Sequence, residues 1–242
     1  MSVPTIVLAA GEGTRLRPLT LDRPKPMVPL AGRPALEWVF RWLRHHGVRN
    51  LFVNLHYRPE VIPRYFGDGS SLGLHISYRV EPDILGTAGG AAGFRDQIAS
   101  TCLVVYGDVL SDLNVGELLA RHRAASATAT IALYRVPDPW TRGVVDLDPT
   151  GRVTRFREKP SREDCPSSTP VNAGIFAIEP AVFDLIPSDG PSDFGRDIFP
   201  ALLAAGLPVH GWESGAYVLD YGTIAQHEQA DADARAGRVR LY

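Results

Sequence analysis

Lysine is almost missing from this 242-residue sequence: of 25 basic residues only Lys25 and Lys159 are lysines, and the other 23 are arginines. Arginine serves wherever a positive charge suffices, so the two lysines, each followed by proline in Asp22-Arg-Pro-Lys-Pro-Met-Val-Pro-Leu30 and Arg157-Glu-Lys-Pro160, call for another reason. Cysteine is also scarce. Cys102 in an apolar run and Cys165 in a polar loop exclude a disulfide framework and a cysteine metal knuckle, and fit a reducing cytoplasm. No apolar run approaches the roughly 18 residues of a membrane span. The start, Met1–Ala10, lacks a basic export region, so no membrane partner and no export are expected. A net charge of −2 gives no general reason to bind nucleic acid. The exception is local: between Arg15 and Arg49 eight basic residues face two acids, Asp22 and Glu37, and that segment suits a small polyanion.

What is abundant is alternation. Thr5–Ala10, Leu51–Asn54, His75–Val80, Cys102–Tyr106 and Thr128–Tyr134 read as strands. Between them Ala35–His46, Pro59–Phe66 and Val115–Ser126 read as helices, the first with Leu36, Val39, Phe40 and Leu43 on one face and the second stopped by Gly67. Strands alternating with helices predict an α/β fold whose sheet is mostly parallel and covered on both faces. From Val144 the texture changes to short strands around Thr150-Gly151, a hairpin lobe, followed by a polar loop over Asp164–Pro170. A strand at Ala173–Ile178, helices near Pro180–Ile186 and Asp197–Ala205, a strand at Val209–Trp212 and a helix from Thr223 to Ala236 complete the pattern. No linker separates domains, so 1–242 reads as one Rossmann-like domain.

The first strand runs into Leu8-Ala-Ala-Gly11-Glu-Gly13-Thr-Arg15-Leu-Arg17. A glycine turn at the carboxyl end of a parallel strand offers backbone N–H groups to anions. A dinucleotide fingerprint would need glycine where Leu16 stands, and a Walker loop would need Gly-Lys-Ser/Thr, so neither is present. What is present brings the Arg15 guanidinium fork beside two glycines that admit close approach. Ten residues on, the prolines flanking Lys25 are expected to hold that loop extended.

Leu8–Pro29 resembles the signature of the sugar-1-phosphate nucleotidyltransferases, and the resemblance continues in order through most of the chain. Glu81-Pro-Asp-Ile-Leu-Gly86-Thr-Ala-Gly89 is similar to that family's nucleobase and sugar loop, and Val105-Tyr-Gly-Asp108 to its metal-binding strand end. Arg142-Gly143-Val, Phe156-Arg-Glu158-Lys159-Pro and Val171-Asn172-Ala-Gly174 resemble its sugar-phosphate segments. Asp193-Phe-Gly-Arg-Asp197 and Leu219-Asp220-Tyr-Gly-Thr223 close the series. The resemblance implies a nucleotide-binding part over about 1–135 and a sugar-phosphate-binding part, including the hairpin lobe, over about 136–242. It implies NTP and sugar 1-phosphate as partners, Mg²⁺ as cofactor, and a homodimer as the assembly to consider.

On the same basis, Arg15 and Lys25 become the catalytic pair. Leu8, Ala9, Gly11, Gly13, Thr14, Glu81, Gly86 and Thr87 are assigned to the nucleotide, and Gly143, Glu158, Lys159 and Asn172 to the sugar phosphate. Asp108 and Asp220 are assigned to the metal, since two carboxylates plus phosphate oxygens and water suit Mg²⁺. A compact ammonium can sit among crowded phosphate oxygens where a planar guanidinium fork demands bidentate room, which is a reason to keep lysine at two places. The attacking sugar phosphate is already an anion, so no general base is required.

Glu81 alone reads as an exposed salt-bridge partner. As a base reader, a carboxylate accepts from guanine and cannot donate to uracil or thymine O4, which leans toward GTP with mannose or heptose 1-phosphate. Uridylyl or thymidylyl transfer to a glucose or amino-sugar phosphate remains the alternative. Tyr221 and Ile224 depart from the family's Asp-Ile-Gly-Thr-Pro, which bears on the sugar-side pocket. Three rivals stand beside this reading: a glycosyltransferase, a dinucleotide oxidoreductase, and a non-catalytic nucleotide-sugar sensor.

Overall fold

The computed structural model describes residues 2–242 and divides into two compact units. The first comprises 1–84, 105–113 and 216–242, the second 85–104 and 114–215, so the chain passes between them at 84/85, 104/105, 113/114 and 215/216.

In the first unit Thr5–Leu8, Asn50–Leu55 and His75–Val80 pair in parallel, with Thr5 opposite Leu51 and Asn50 opposite His75. Ile6, Val7, Leu51, Val53 and Leu55 are buried on these strands, as expected where helices cover a parallel sheet. The helix Ala35–His45 buries the face read from its spacing, Leu36, Val39, Phe40 and Leu43, and adds Trp42, whose indole N–H donates to the Leu113 carbonyl at 2.8 Å. Each such side chain is worth about 1.5–3 kcal/mol relative to exposure. The helix Val61–Phe66 does end at Gly67, and Phe66 packs on Phe40 with ring centroids 4.7 Å apart.

Two short strands, Val109–Ser111 and Val218–Asp220, pair antiparallel with Asp220 opposite Val109. The following helix, Ile224–Arg235, starts where the Thr223 hydroxyl accepts from the Gln226 N–H at 3.3 Å. A small core of Leu16, Val28, Leu30, Ala35, Leu110, Tyr221 and Ala230 ties the glycine turn to these pieces.

In the second unit Val171–Ile178 pairs antiparallel with Ala129–Tyr134, which runs parallel to Val209–Glu213. The expected hairpin is present, Gly143–Leu147 against Val153–Glu158. The sheet is therefore mixed, with helices packed on it, and the fold is α/β. Phe176 meets Phe194 at 4.7 Å, which sets the strand Val171–Ile178 against the turn at 194–198, and Phe156 meets Phe199 at 5.0 Å, which sets the hairpin against the helix that follows.

Three local expectations are refined. The helix near Pro180–Ile186 is present as a 3-10 helix over Pro180–Leu185, with proline at its start. The helix read as Asp197–Ala205 is present and begins earlier, as a π-helical turn over Phe194–Ile198 that leads into an α-helix at Phe199–Ala204. Cys165, though inside the polar loop, is buried against Val144 and Val171, so the loop folds back on its one apolar residue.

Candidate functional site

At the end of the first strand the backbone is held from two sides. The Leu8 carbonyl accepts from the Gly107 N–H at 2.9 Å, and the Ala9 N–H donates to the Asn54 side-chain carbonyl at 2.8 Å. Asn54 in turn donates from its amide to the Glu81 carboxylate at 2.7 Å. Glu81 is 2% exposed, so the exposed salt bridge expected of it is overturned. Two strand ends place an amide between a buried carboxylate and a loop N–H, and hydrogen bonding is what makes such burial tolerable.

The turn itself is closed by Thr20, whose hydroxyl donates to the Gly13 carbonyl at 2.9 Å, and continues as a 3-10 turn over Thr14–Leu16. Gly13 has φ +68°, and a Cβ there would lie 2.7 Å from the Lys25 Cβ. Glycine is thus needed for conformation and for room. Leu16, standing where a dinucleotide loop would carry glycine, is fully buried and anchors the turn in the core. Gly11, Thr14 and Arg15 remain exposed.

Lys25 does not lie on an extended arm. Pro24 is extended at φ −69°, ψ 155°, but Lys25–Met27 forms one 3-10 turn, closed by Met27 N–H to the Pro24 carbonyl at 2.9 Å and Val28 N–H to the Lys25 carbonyl at 3.2 Å. The bias against helical backbone before proline is overcome by these bonds and by burial of all three residues of the turn. The ammonium donates to Asp108 in a short contact and to Asp220 at 3.2 Å, and lies 5.5 Å from the Tyr221 ring centroid. Burial alone would depress the Lys25 pKa; Asp108 and Asp220 more than offset that, and the net shift is upward.

Asp108 and Asp220 keep about a quarter of their side chains exposed, at 28% and 23%. Arg15 lies alongside: a Cβ placed on Gly222 would meet the Arg15 guanidinium at 3.1 Å and the Asp220 carboxylate at 3.4 Å. Tyr221 is 1% exposed, part of the first unit's core, with its hydroxyl donating to the Gly107 carbonyl at 3.3 Å. Its departure from the family pattern therefore lies under the lysine.

The second unit gathers another set. Gly86, at φ +74°, opens a helix over Gly86–Ala92, and the Ala88 and Gly89 N–H groups donate to the Ser192 carbonyl at 2.9 and 3.1 Å. Thr87 donates to Asp193 at 2.8 Å and accepts from the Phe194 N–H at 2.9 Å. Glu158 is wedged between two glycines: Cβ atoms on Gly143 and Gly195 would lie 2.8 and 2.6 Å from its carboxylate. Burial first, and then the charge of Asp193, push its pKa above the usual carboxylate value.

Lys159 differs from Lys25. It has φ +48°, its N–H donates to the Arg142 carbonyl at 2.9 Å, and its ammonium is 59% exposed at 3.9 Å from Glu158. Asn172 accepts from the Gly174 N–H at 2.8 Å, holding a bulge in its strand. The residues missed by sequence reading are Asn54, Ser192 and Gly195. Gly195 stood inside a quoted motif, whereas Asn54 gave no signal, because its partners are far away in sequence.

A glycine turn at the carboxyl end of a parallel strand, with an arginine and an ion-paired lysine beside it, marks the first unit of this α/β protein. The chain belongs to the nucleotidyl transferase family, whose sequence pattern matches residues 4–236. It is 40% identical over 237 residues to the mannose-1-phosphate guanylyltransferase of Mycobacterium tuberculosis, covering 97% of this chain and 65% of that protein. It is 38% identical over 239 residues to the UTP–glucose-1-phosphate uridylyltransferase of Synechocystis, covering 93% and 61%. The chain thus spans less than two thirds of these relatives' length. A putative glucose-1-phosphate thymidylyltransferase from Bacillus anthracis shares the fold with a TM-score of 0.87 at 22% identity, over 97% of this chain and 96% of that one. Among the described residues no helix is long and apolar enough to cross a membrane.

Proposed function

We propose that the chain transfers a nucleoside monophosphate from an NTP to a sugar 1-phosphate, giving an NDP-sugar and pyrophosphate. The observation that carries this is the Lys25 ammonium held between Asp108 and Asp220 beside the glycine turn, with Arg15 alongside. A sugar-phosphate oxygen attacks the α-phosphorus, the bond to the bridging oxygen of the β-phosphate breaks, and pyrophosphate leaves. Arg15 binds phosphate oxygens, and Lys25 exchanges a carboxylate partner for an α-phosphate oxygen, stabilising charge as it develops. Backbone N–H groups of Gly11–Thr14 orient the triphosphate. In the second unit Lys159, free to swing, takes the sugar phosphate, and Glu158 and Asn172 face the sugar hydroxyls.

Asp108 and Asp220 suit Mg²⁺. Both are carboxylates, and both already share one cation. Few protein ligands leave positions for water and phosphate. When bound, the ion neutralises triphosphate charge. The two cysteines are free, in keeping with a cytoplasmic setting.

GTP with a mannose- or heptose-type phosphate is the preferred pair, supported by the 40% identity to a protein named as a guanylyltransferase. Glu81 supports it less than its chemistry promised, since its carboxylate already accepts from Asn54. Uridylyl transfer is the second reading, favoured by the 38% identity to a uridylyltransferase. Incubation with Mg²⁺, each NTP and a panel of sugar 1-phosphates, with pyrophosphate measured, tests the proposal. Tight nucleotide-sugar binding without pyrophosphate from any pair would instead mark a sensor.

A further inference from the structure

Apart from these residues, the first unit contains a cavity of about 540 Å³, within the range of about 300–1,000 Å³ usual for small-molecule sites. Arg23, Arg33 and Arg64 line it together with Met27, Val61 and Tyr65. Part of the wall is fixed in advance. Glu37, 3% exposed, accepts from the Arg33 guanidinium at 2.6 Å, from Arg41 at 2.8 Å and from the Tyr65 hydroxyl at 2.8 Å. The Arg33 guanidinium also lies 5.6 Å from the Trp38 ring. Burial pushes the Glu37 pKa up, but Arg41, Tyr65 and Arg33 outweigh it and the carboxyl is held below its usual value. Its charge is therefore shared between Arg33 on the wall and Arg41, which does not line the cavity.

Arg23 pairs with Asp22 at 2.9 Å. Arg64 has no hydrogen bond or ion pair for its guanidinium among the described residues. Of the three guanidiniums in the lining, Arg23 is thus paired with Asp22 and Arg33 with Glu37, which leaves the charge of Arg64 uncompensated beside a tyrosine ring that is 52% exposed. This combination suits an anion carrying a ring: guanidiniums fork onto phosphate oxygens, and Tyr65 offers a stacking face.

Met27 connects the cavity to the catalytic set. It is 5% exposed, contributes to the cavity wall, and belongs to the same three-residue turn as Lys25. Pro24 and Pro26 restrict that turn, so a displacement of Met27 is carried to Lys25 instead of being absorbed between them.

We propose that this cavity is a second anion site for a small phosphorylated molecule bearing a ring or other apolar face, and that its occupancy is felt at Lys25 through the Lys25–Met27 turn. The binding is independent of the transferase reading and is tested without turnover.

The probe is phenyl phosphate, titrated into the full chain and followed by ligand-observed NMR. Arg64→Glu is expected to weaken binding at least about tenfold, as for loss of a charge-assisted contact. Val61→Trp, which projects an indole from the wall into the cavity, is expected to do the same, and Lys25→Met to leave affinity within about threefold. Phenol, lacking the charge, is expected to bind at least about tenfold more weakly than phenyl phosphate. Because the chain has two lysines, ¹³C labelling at their ε-carbons gives two signals, assigned by Lys25→Met. Phenyl phosphate is expected to shift the Lys25 signal in the wild type and not in Arg64→Glu, with Lys159 unmoved. Wild-type affinity in Arg64→Glu and Val61→Trp, equal affinity for phenol, or loss of binding in Lys25→Met alone would overturn the site. A Lys25 signal that stays put at saturation would overturn the coupling.

Discussion

Lys25→Met removes one charge and keeps most of the stem, and the structure gives its consequence a size. At 3.2 Å the attraction between Lys25 and Asp220 is about 5 kcal/mol gross at an effective dielectric near 20, and Asp108 adds a second pair. Desolvation of the ammonium, which is 10% exposed, opposes this. The carboxylates keep about a quarter of their surface in water, so solvent relieves much of the loss, and a net destabilisation of about 2 kcal/mol is expected. For a chain of this length that lowers the unfolding midpoint by roughly 4–8 °C.

The variant removes the ammonium from between the two carboxylates, so millimolar Mg²⁺ should raise its midpoint by more than it raises that of the wild type, where the ammonium competes. Thermal unfolding followed by circular dichroism, with and without Mg²⁺, reads both effects. A variant as stable as the wild type, or an equal Mg²⁺ shift in both, would refute the reasoning.

Gly13→Ala forces a side chain into the left-handed region and against the Lys25 Cβ; turnover should fall at least about a hundredfold with about 1–2 kcal/mol lost in stability, and near-normal kcat would remove the steric argument. Lys25→Arg should lower turnover by roughly a hundredfold because the enclosed ammonium has no room to become a guanidinium, whereas Lys159→Arg, with an exposed head group, should lose less than about tenfold; the reverse order in steady-state assays would contradict the site geometry. Glu158→Gln tests the raised carboxyl pKa. A group that holds its proton more tightly when folded favours the folded state at low pH, and that contribution is lost as pH rises through its folded pKa. The substitution should therefore raise the unfolding midpoint at pH 7.5 and leave it nearly unchanged at pH 4, and a uniform shift at both would count against the burial of that charge.

Much of this arrangement is legible in the residues. The strand Cys102–Tyr106 begins and ends where its apolar run does, His75–Val80 has the bounds read for it, and the glycine turn and both aspartates stand at strand ends as read. What escapes is long-range. The helix Gly86–Ala92 contains three glycines and reads as a loop; it exists because Ser192 caps its first N–H groups and because Ala88–Ala92 are buried. The Lys25 turn was read as extended from its prolines, which constrain the flanks but not the ion pairs that pull the ammonium inward. The two lysines looked equivalent in sequence, yet one is enclosed by carboxylates and the other projects into solvent. Shape complementarity explains Lys25 better than Lys159, where a long, mobile stem is the relevant property. Tyr221, which looked like a change to the sugar pocket, is core beneath Lys25, a role invisible without knowing which residues surround it.

The central claim is attack at the α-phosphorus of an NTP by a sugar 1-phosphate. Parallel reactions with α-³²P- and γ-³²P-labelled GTP, mannose 1-phosphate and Mg²⁺, repeated with UTP and glucose 1-phosphate, test it directly. The account predicts that α label appears in the nucleotide sugar and γ label in pyrophosphate for at least one pair, both forming roughly a hundredfold more slowly in Lys25→Arg. Label from the γ position in inorganic phosphate or on the sugar, with none in pyrophosphate, would contradict it.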